Sequence, residues 1–249
     1  MNDTDSNPLS SIDPTKIIET AELLKRRISE RLPSSNLNNV ASELVRLAGL
    51  VQTECAILSK PMRLLRVILT LLCLGFLSTL FGVASHIKLS SGTPDLGNFL
   101  QALEAGVNLM LVFGAALIFV ISLERRFKQR KALKALHRLR SLAHVIDLHQ
   151  LTKDPERWSI SQPTQSSPQV GLSLFQVGRY LDYCSEMLSL IGKLSALYIQ
   201  NLQDPIIVEA GSDIEALTTA LSHKIWQKIS ILHLIEEKPE GRSSALPRL

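Results

Sequence analysis

Two uncharged apolar blocks constrain this chain more than any other feature. Val67–Ser85 reads VILTLLCLGFLSTLFGVAS and Ala105–Leu123 reads AGVNLMLVFGAALIFVISL, each 19 residues without Asp, Glu, Lys or Arg. A hydrocarbon core about 30 Å thick is crossed by roughly 20 apolar residues rising about 1.5 Å each. Each block fits that length. A buried helix of a water-soluble protein is the competing explanation, but such helices are seldom apolar on every face over this distance. The blocks predict spans over about 65–86 and about 104–123, joined by an outer loop. The first block follows a long polar stretch, and the opening MNDTDSN is acidic and lacks Arg. Neither a secretory signal nor a transit peptide is expected.

Charge near the blocks orients them. Lys60, Arg63 and Arg66 precede the first. Arg125, Arg126, Lys128, Arg130, Lys131, Lys134, Arg138 and Arg140 follow the second, with no acid between Arg125 and Arg140. The connecting stretch His86–Glu104 holds only Lys88, against Asp95 and Glu104. Lys and Arg favour the cytoplasmic side, so both termini are expected there, with the basic run against anionic headgroups. The net charge of +4 is concentrated at these two borders. A nucleic-acid partner is not expected, because it calls for a basic face spread over a folded domain.

The remaining chain is patterned for helices. Asp13-Pro14 reads as an N-cap with Pro at the first helical position, followed by Ile17, Ala21, Leu24 and Ile28 at helical spacing. A second helix is expected from Leu37 to Leu58 on the stripe Leu37, Val40, Leu44, Leu47, Val51, Cys55 and Leu58. The second span should run on as a basic helix, since neither Gly nor Pro occurs between Leu123 and Gln150. Residues 152–171 read as a Ser/Gln/Pro linker. Helices should follow over 172–238, the last opening at a Ser212–Glu215 capping box just after Gly211, and 239–249 should be a loose tail. The organisation is then 1–62 N-terminal helices, 63–123 membrane hairpin, 124–151 basic helix, linker, C-terminal helices and tail. The expected fold class is an all-α membrane protein: a two-helix transmembrane hairpin with a cytoplasmic helical bundle formed by both termini.

Candidate sites are few. His137, Arg140, His144 and Asp147 form one polar stripe, and His137, His144 and Asp147 are the candidate metal ligands. The i,i+4 pairing of a helical zinc site is absent, so a polar seam between helices is the favoured expectation, and no metal or cofactor is expected. Cys55, Cys73 and Cys184 are isolated and read as small buried residues. Gly75, Ser78, Gly82 and Ser85 recur on one face of the first span, as a packing face against the second span or another subunit, with pore lining as the alternative. Asn108 is the only amide in either block. Neither a phosphate-binding loop nor a nucleophile elbow occurs, and no ionisable group lies in either block, which disfavours a carrier.

The expected function is a membrane-anchored helical interaction or scaffold module, partnered by the bilayer and by a helical protein or further copies of itself. The alternative is a subunit of an oligomeric channel or membrane-permeabilising effector. A membrane enzyme using His144 and Asp147 is the least favoured reading.

Overall fold

The computed structural model describes residues 11–58, 60–89, 96–153 and 171–237. Every element among them is an α-helix: α1 (Pro14–Arg31), α2 (Leu37–Leu58), α3 (Arg63–Leu89), α4 (Leu96–Leu151), α5 (Leu174–Asn201) and α6 (Pro205–Glu237). The expected linker, tail and outer-loop centre fall on 154–170, 238–249 and 90–95, outside the described residues.

The helices sort into two compact units. One comprises residues 60–131, and the other residues 1–59 together with 132–249. Helix α4 contributes to both, with the division between Lys131 and Ala132.

In the discontinuous unit, local signals set the helix ends. The Asp13 carboxylate accepts the Thr15 N–H at 2.8 Å, one of the donors that a first turn leaves unpaired. Ser173 and Gln176 form a reciprocal capping box at the start of α5. S-x-x-Q is the sequence signature of this start.

The apolar stripes of α1, α2, α4, α5 and α6 meet in one core. Ile28, Leu37, Leu139, Ile146, Leu181, Cys184 and Ile225 are each wholly enclosed in it. Helix α5 is its centre. Val177, Tyr180, Tyr183, Met187, Leu190 and Leu194, on several sides of α5, are all buried. Such all-round burial needs neighbours on several sides, and α1, α2 and α6 all pack directly on α5.

Helix α6 departs from the sequence reading. It begins at Pro205, with Asp204 Oδ1 accepting the Ile206 N–H at 3.1 Å, and runs through the expected start at Ser212. Gly211 is therefore interior. A Cβ there would lie 2.6 Å from Ile199 Cγ1, and the Gly211 carbonyl accepts the buried Ser195 hydroxyl at 3.0 Å. The glycine marks a close approach of α5 and α6, a signal that resembles a helix boundary in sequence.

The other unit contains α3 and the first part of α4. Both outrun the expected spans: α3 continues to Leu89 and α4 already begins at Leu96. The polar residues Asn98, Gln101 and Glu104 read as loop, yet no Pro interrupts them and they join the helix. Phe76 stacks on Phe113 at 4.1 Å between ring centroids, and the Met62 N–H is donated to Glu124 Oε1 at 3.2 Å. Moving forward from Met62 to Phe76 on α3 corresponds to moving back from Glu124 to Phe113 on α4. The two helices are antiparallel.

Candidate membrane interface and polar contacts

The surface of the α3–α4 unit is apolar. Within α3 and within the first part of α4 runs a stretch long and apolar enough to cross a membrane, and most of its side chains are open rather than buried inside the protein. Leu64 is 73% exposed, Phe81 78% and Met110 68%, and Leu71, Leu74, Leu77, Leu111, Ile118 and Phe119 are also open. Two helices can cover only one strip of each other. Leaving more than a dozen large apolar side chains in water costs on the order of 20–30 kcal/mol at about 2 kcal/mol each. That exceeds the roughly 5–15 kcal/mol net stability of a typical domain. Both helices are long and apolar enough to cross a membrane.

The strip that α3 does cover is Leu65, Leu69, Leu72 and Phe76. The line Gly75, Ser78, Gly82, Ser85 lies about 130° around the helix from it, at about 100° per residue. Gly75 and Ser78 are exposed, and Gly82 and Ser85 half-buried. A Cβ at either glycine would meet nothing within 4 Å. Asn108 is likewise exposed.

The basic run divides. Arg125, Arg126, Arg130, Lys134 and Arg140 are exposed, whereas Lys128, Lys131 and Arg138 are half-buried. Lys128 Nζ lies 2.9 Å from Glu124 Oε1, the same oxygen that accepts the amide of Met62, the residue just before α3. Lys128 foremost holds the Glu124 carboxyl below the usual carboxylate range; burial opposes it, and the Met62 N–H adds a lesser lowering.

Arg138 belongs to a different constellation, one that helical periodicity did not expose. Its Nη2 donates to Glu54 Oε1 at 3.0 Å, and the Tyr198 hydroxyl donates to Glu54 Oε2 at 2.7 Å. One carboxylate thus joins α2, α4 and α5. Burial, reinforced by Glu54, drives the Tyr198 phenol well above its ordinary range. Burial also pushes the neighbouring Cys55 thiol up to about 12. Cys184 is wholly enclosed and shifted in the same direction for the same reason. These groups hold their protons and are poorly suited to nucleophilic chemistry near neutral pH.

The His137–His144–Asp147 stripe is not a seam. His137, Arg140 and His144 face outward, because Ala132, Ala135, Leu136, Leu139, Ala143 and Ile146 occupy the inner face of α4. Asp147 Oδ1 accepts from Gln150 Nε2 at 2.7 Å. Among the described residues no group of three His, Cys, Asp or Glu side chains is placed to hold a metal ion.

Two further features lie between helices of the discontinuous unit. An open groove of about 500 Å³ separates α5 from α6, lined by Lys193, Glu215, Thr219, His223 and Trp226 among others. On the α1–α5 face, Arg27 Nη2 pairs with Glu186 at 2.6 Å, and Arg27 and Arg179 lie 5.4 and 5.3 Å from the Tyr183 ring centroid. The groove brings Glu215, His223 and Lys193 to one opening with the hydroxyls of Ser189 and Ser222. Compared with protein-family models, curated proteins and solved structures, the chain matches none.

Proposed function

We propose that this chain is a two-pass integral membrane protein, with α3 and α4 as a transmembrane hairpin and both termini in the cytoplasm. The discontinuous helical unit acts there as a membrane-anchored bundle for protein interaction. The observation that carries this reading is the apolar surface of α3 and α4, whose cost in water is removed by lipid. The eight bases of Arg125–Arg140 at the end of the second span support the orientation. The interaction role is supported by the open groove between α5 and α6, where the Trp226 ring is left uncovered.

The test is fractionation followed by topology mapping. The chain is expected to stay with membranes through alkaline carbonate, and reporters at residue 1, in the 90s and at 249 to read inside, outside, inside. Recovery in the supernatant without detergent overturns the membrane reading, and an outward C-terminus overturns the orientation. For the interaction role, the solubilised full chain should bring down one stoichiometric partner or further copies of itself; a strict monomer without a partner argues against it.

A second reading, an oligomeric channel, is favoured by one observation: Asn108, Gly75 and Ser78 lie exposed on otherwise apolar helices, where another subunit could cover them. Ion conductance by the chain in liposomes, lost on Ser78→Leu, would select it. Silent bilayers would eliminate it.

A further inference from the structure

Charge is segregated along α6. From Pro205 to Thr218 the helix carries Glu209, Asp213 and Glu215 and no base; from Thr219 to Ile235 it carries His223, Lys224, Lys228 and His233 and no acid. A helix macrodipole favours acids in a first turn and bases in a last one, and its effect fades beyond them. Asp213, Glu215, His223 and Lys224 all lie in middle turns. Glu215, Thr219 and His223 follow at i, i+4 and i+8 and so form one ridge, with the acid and the histidine each about 6 Å along the axis from Thr219. Asp213 and Lys224 flank that ridge together on one side. The ridge is open: Thr219 and His223 are exposed and Glu215 is half-buried. Among the described residues Glu215 joins no ion pair. Beside the ridge runs the groove against α5, where Ser189, Gly192 and Ala196 are all small and the Trp226 ring is 62% exposed.

We infer that this face docks a second copy of the chain, with the two α6 helices antiparallel about a two-fold axis at Thr219. A two-fold interface uses the same patch on both copies, so the patch must be complementary to itself. The axis sets Glu215 of each copy against His223 of the other, and Asp213 toward Lys224. A parallel pairing would instead stack acid on acid and base on base. An imidazole has an N–H to donate to a carboxylate in either protonation state, so the Glu215–His223 contact does not require the charged ring. The same axis carries Trp226, seven residues after Thr219, to the level of Ser212 in the second copy, seven residues before it. There the Gly211 carbonyl accepts the Ser195 hydroxyl and Ala196 lines the groove, so the indole meets a wall of small residues. A large aromatic ring seated in a partner's groove is a common anchor of an interface. The inference rests on the interaction reading above and names a second copy as the partner.

The test is the mass of the full chain in a neutral detergent, followed by analytical ultracentrifugation over a dilution series. The wild type should be a dimer that weakens as salt is added, because the pairings lie at the surface. His223→Glu sets carboxylate against carboxylate at two places and should raise the dimer Kd about tenfold or more. Glu215→Lys should weaken the dimer as well, and E215K/H223E together should restore it. Within one copy the two positions are about 12 Å apart along the helix, so rescue reports a contact between copies. Trp226→Ala should raise the Kd about tenfold. Each variant should keep its helical circular dichroism, since all three positions lie on the open face of α6. A dimer indifferent to these substitutions, or a double variant weaker than either single one, overturns the inference but leaves the interaction reading, because the copies then meet elsewhere. A monomer bound to a different protein does the same. A monomer with no partner removes both.

Discussion

Tyr198 on α5 donates its hydroxyl hydrogen to Glu54 Oε2 on α2 at 2.7 Å, so a phenol closes one side of a carboxylate whose other oxygen is held by Arg138. The Glu54 side chain is only 14% exposed, against 35% for Arg138. With little water in reach, its oxygens rely on these two partners for their hydrogen bonds more than a surface carboxylate would.

Removing one partner should reveal that dependence. Tyr198→Phe leaves a largely enclosed oxygen unpaired and should cost about 1–2 kcal/mol. Glu54→Ala should cost about the same, since the partly exposed Arg138 recovers some hydration and its pairing is screened. Chemical denaturation of the detergent-solubilised chain, followed by circular dichroism, measures both. In the double variant the losses should be less than additive. Full additivity would mean the two groups act independently.

Alkaline pH should weaken the fold. Burial raises Tyr180, Tyr198, Cys55 and Cys184 above their ordinary values. The folded state then keeps protons that the unfolded chain releases. The associated stability is complete below the unfolded values and is lost as pH rises through the folded ones. Each group that ionises only on unfolding contributes a slope of about 1.4 kcal/mol per pH unit above roughly pH 9 to 10. Denaturation midpoints at pH 7.5 and 10.5 should differ accordingly, and Tyr198→Phe should reduce the difference. Identical midpoints would contradict the burial of these groups.

Two glycines should respond in opposite directions. At Gly211 a methyl group would meet Ile199 Cγ1 at 2.6 Å, so Gly211→Ala should destabilise by about 1–2 kcal/mol. At Gly49, within α2, a Cβ would meet nothing within 4 Å, so Gly49→Ala should stabilise by up to about 1 kcal/mol through helix propensity alone. Thermal melts of the pair check this, and a stabilised Gly211→Ala would refute the close α5–α6 approach.

The histidine stripe should be silent toward zinc. His137 and His144 are exposed and no third ligand joins them with Asp147 among the described residues. Equimolar zinc should leave the melting temperature of the wild type and of His144→Ala unchanged. A zinc-dependent rise in the wild type alone would restore a metal role.

What the sequence made legible was periodic. Ile17, Ala21, Leu24 and Ile28, and the α2 stripe from Leu37 to Leu58, are buried as their spacing implies. The length and composition of α3 and α4 were readable for the same reason, since neither depends on a partner. Relationships between distant residues were not readable. Nothing local distinguishes Glu54 from any solvated glutamate, or Arg138 from the rest of its basic run. Glu124 looked like the end of a span, and its role with Met62 appears only when α3 and α4 are paired. Gly211 misled because a glycine that admits a neighbouring helix and one that ends a helix look the same along the chain. Spacing alone puts His137 and His144 on one stripe, but only the alanines and leucines buried on the other face of α4 decide that it points outward.

The core around α5 also imposes an order on biosynthesis. Leu44, Val51 and Leu58 are sealed by a core that includes Leu181, Leu188 and Tyr198, and those residues leave the ribosome roughly 140 positions later, about 7–28 seconds at 5–20 residues per second. In that interval the nascent α1 and α2 carry uncovered apolar stripes while both greasy segments are being made. Until α5 emerges, those stripes are open to other apolar surfaces, which makes the interval before α5 the aggregation-exposed one in the making of this core.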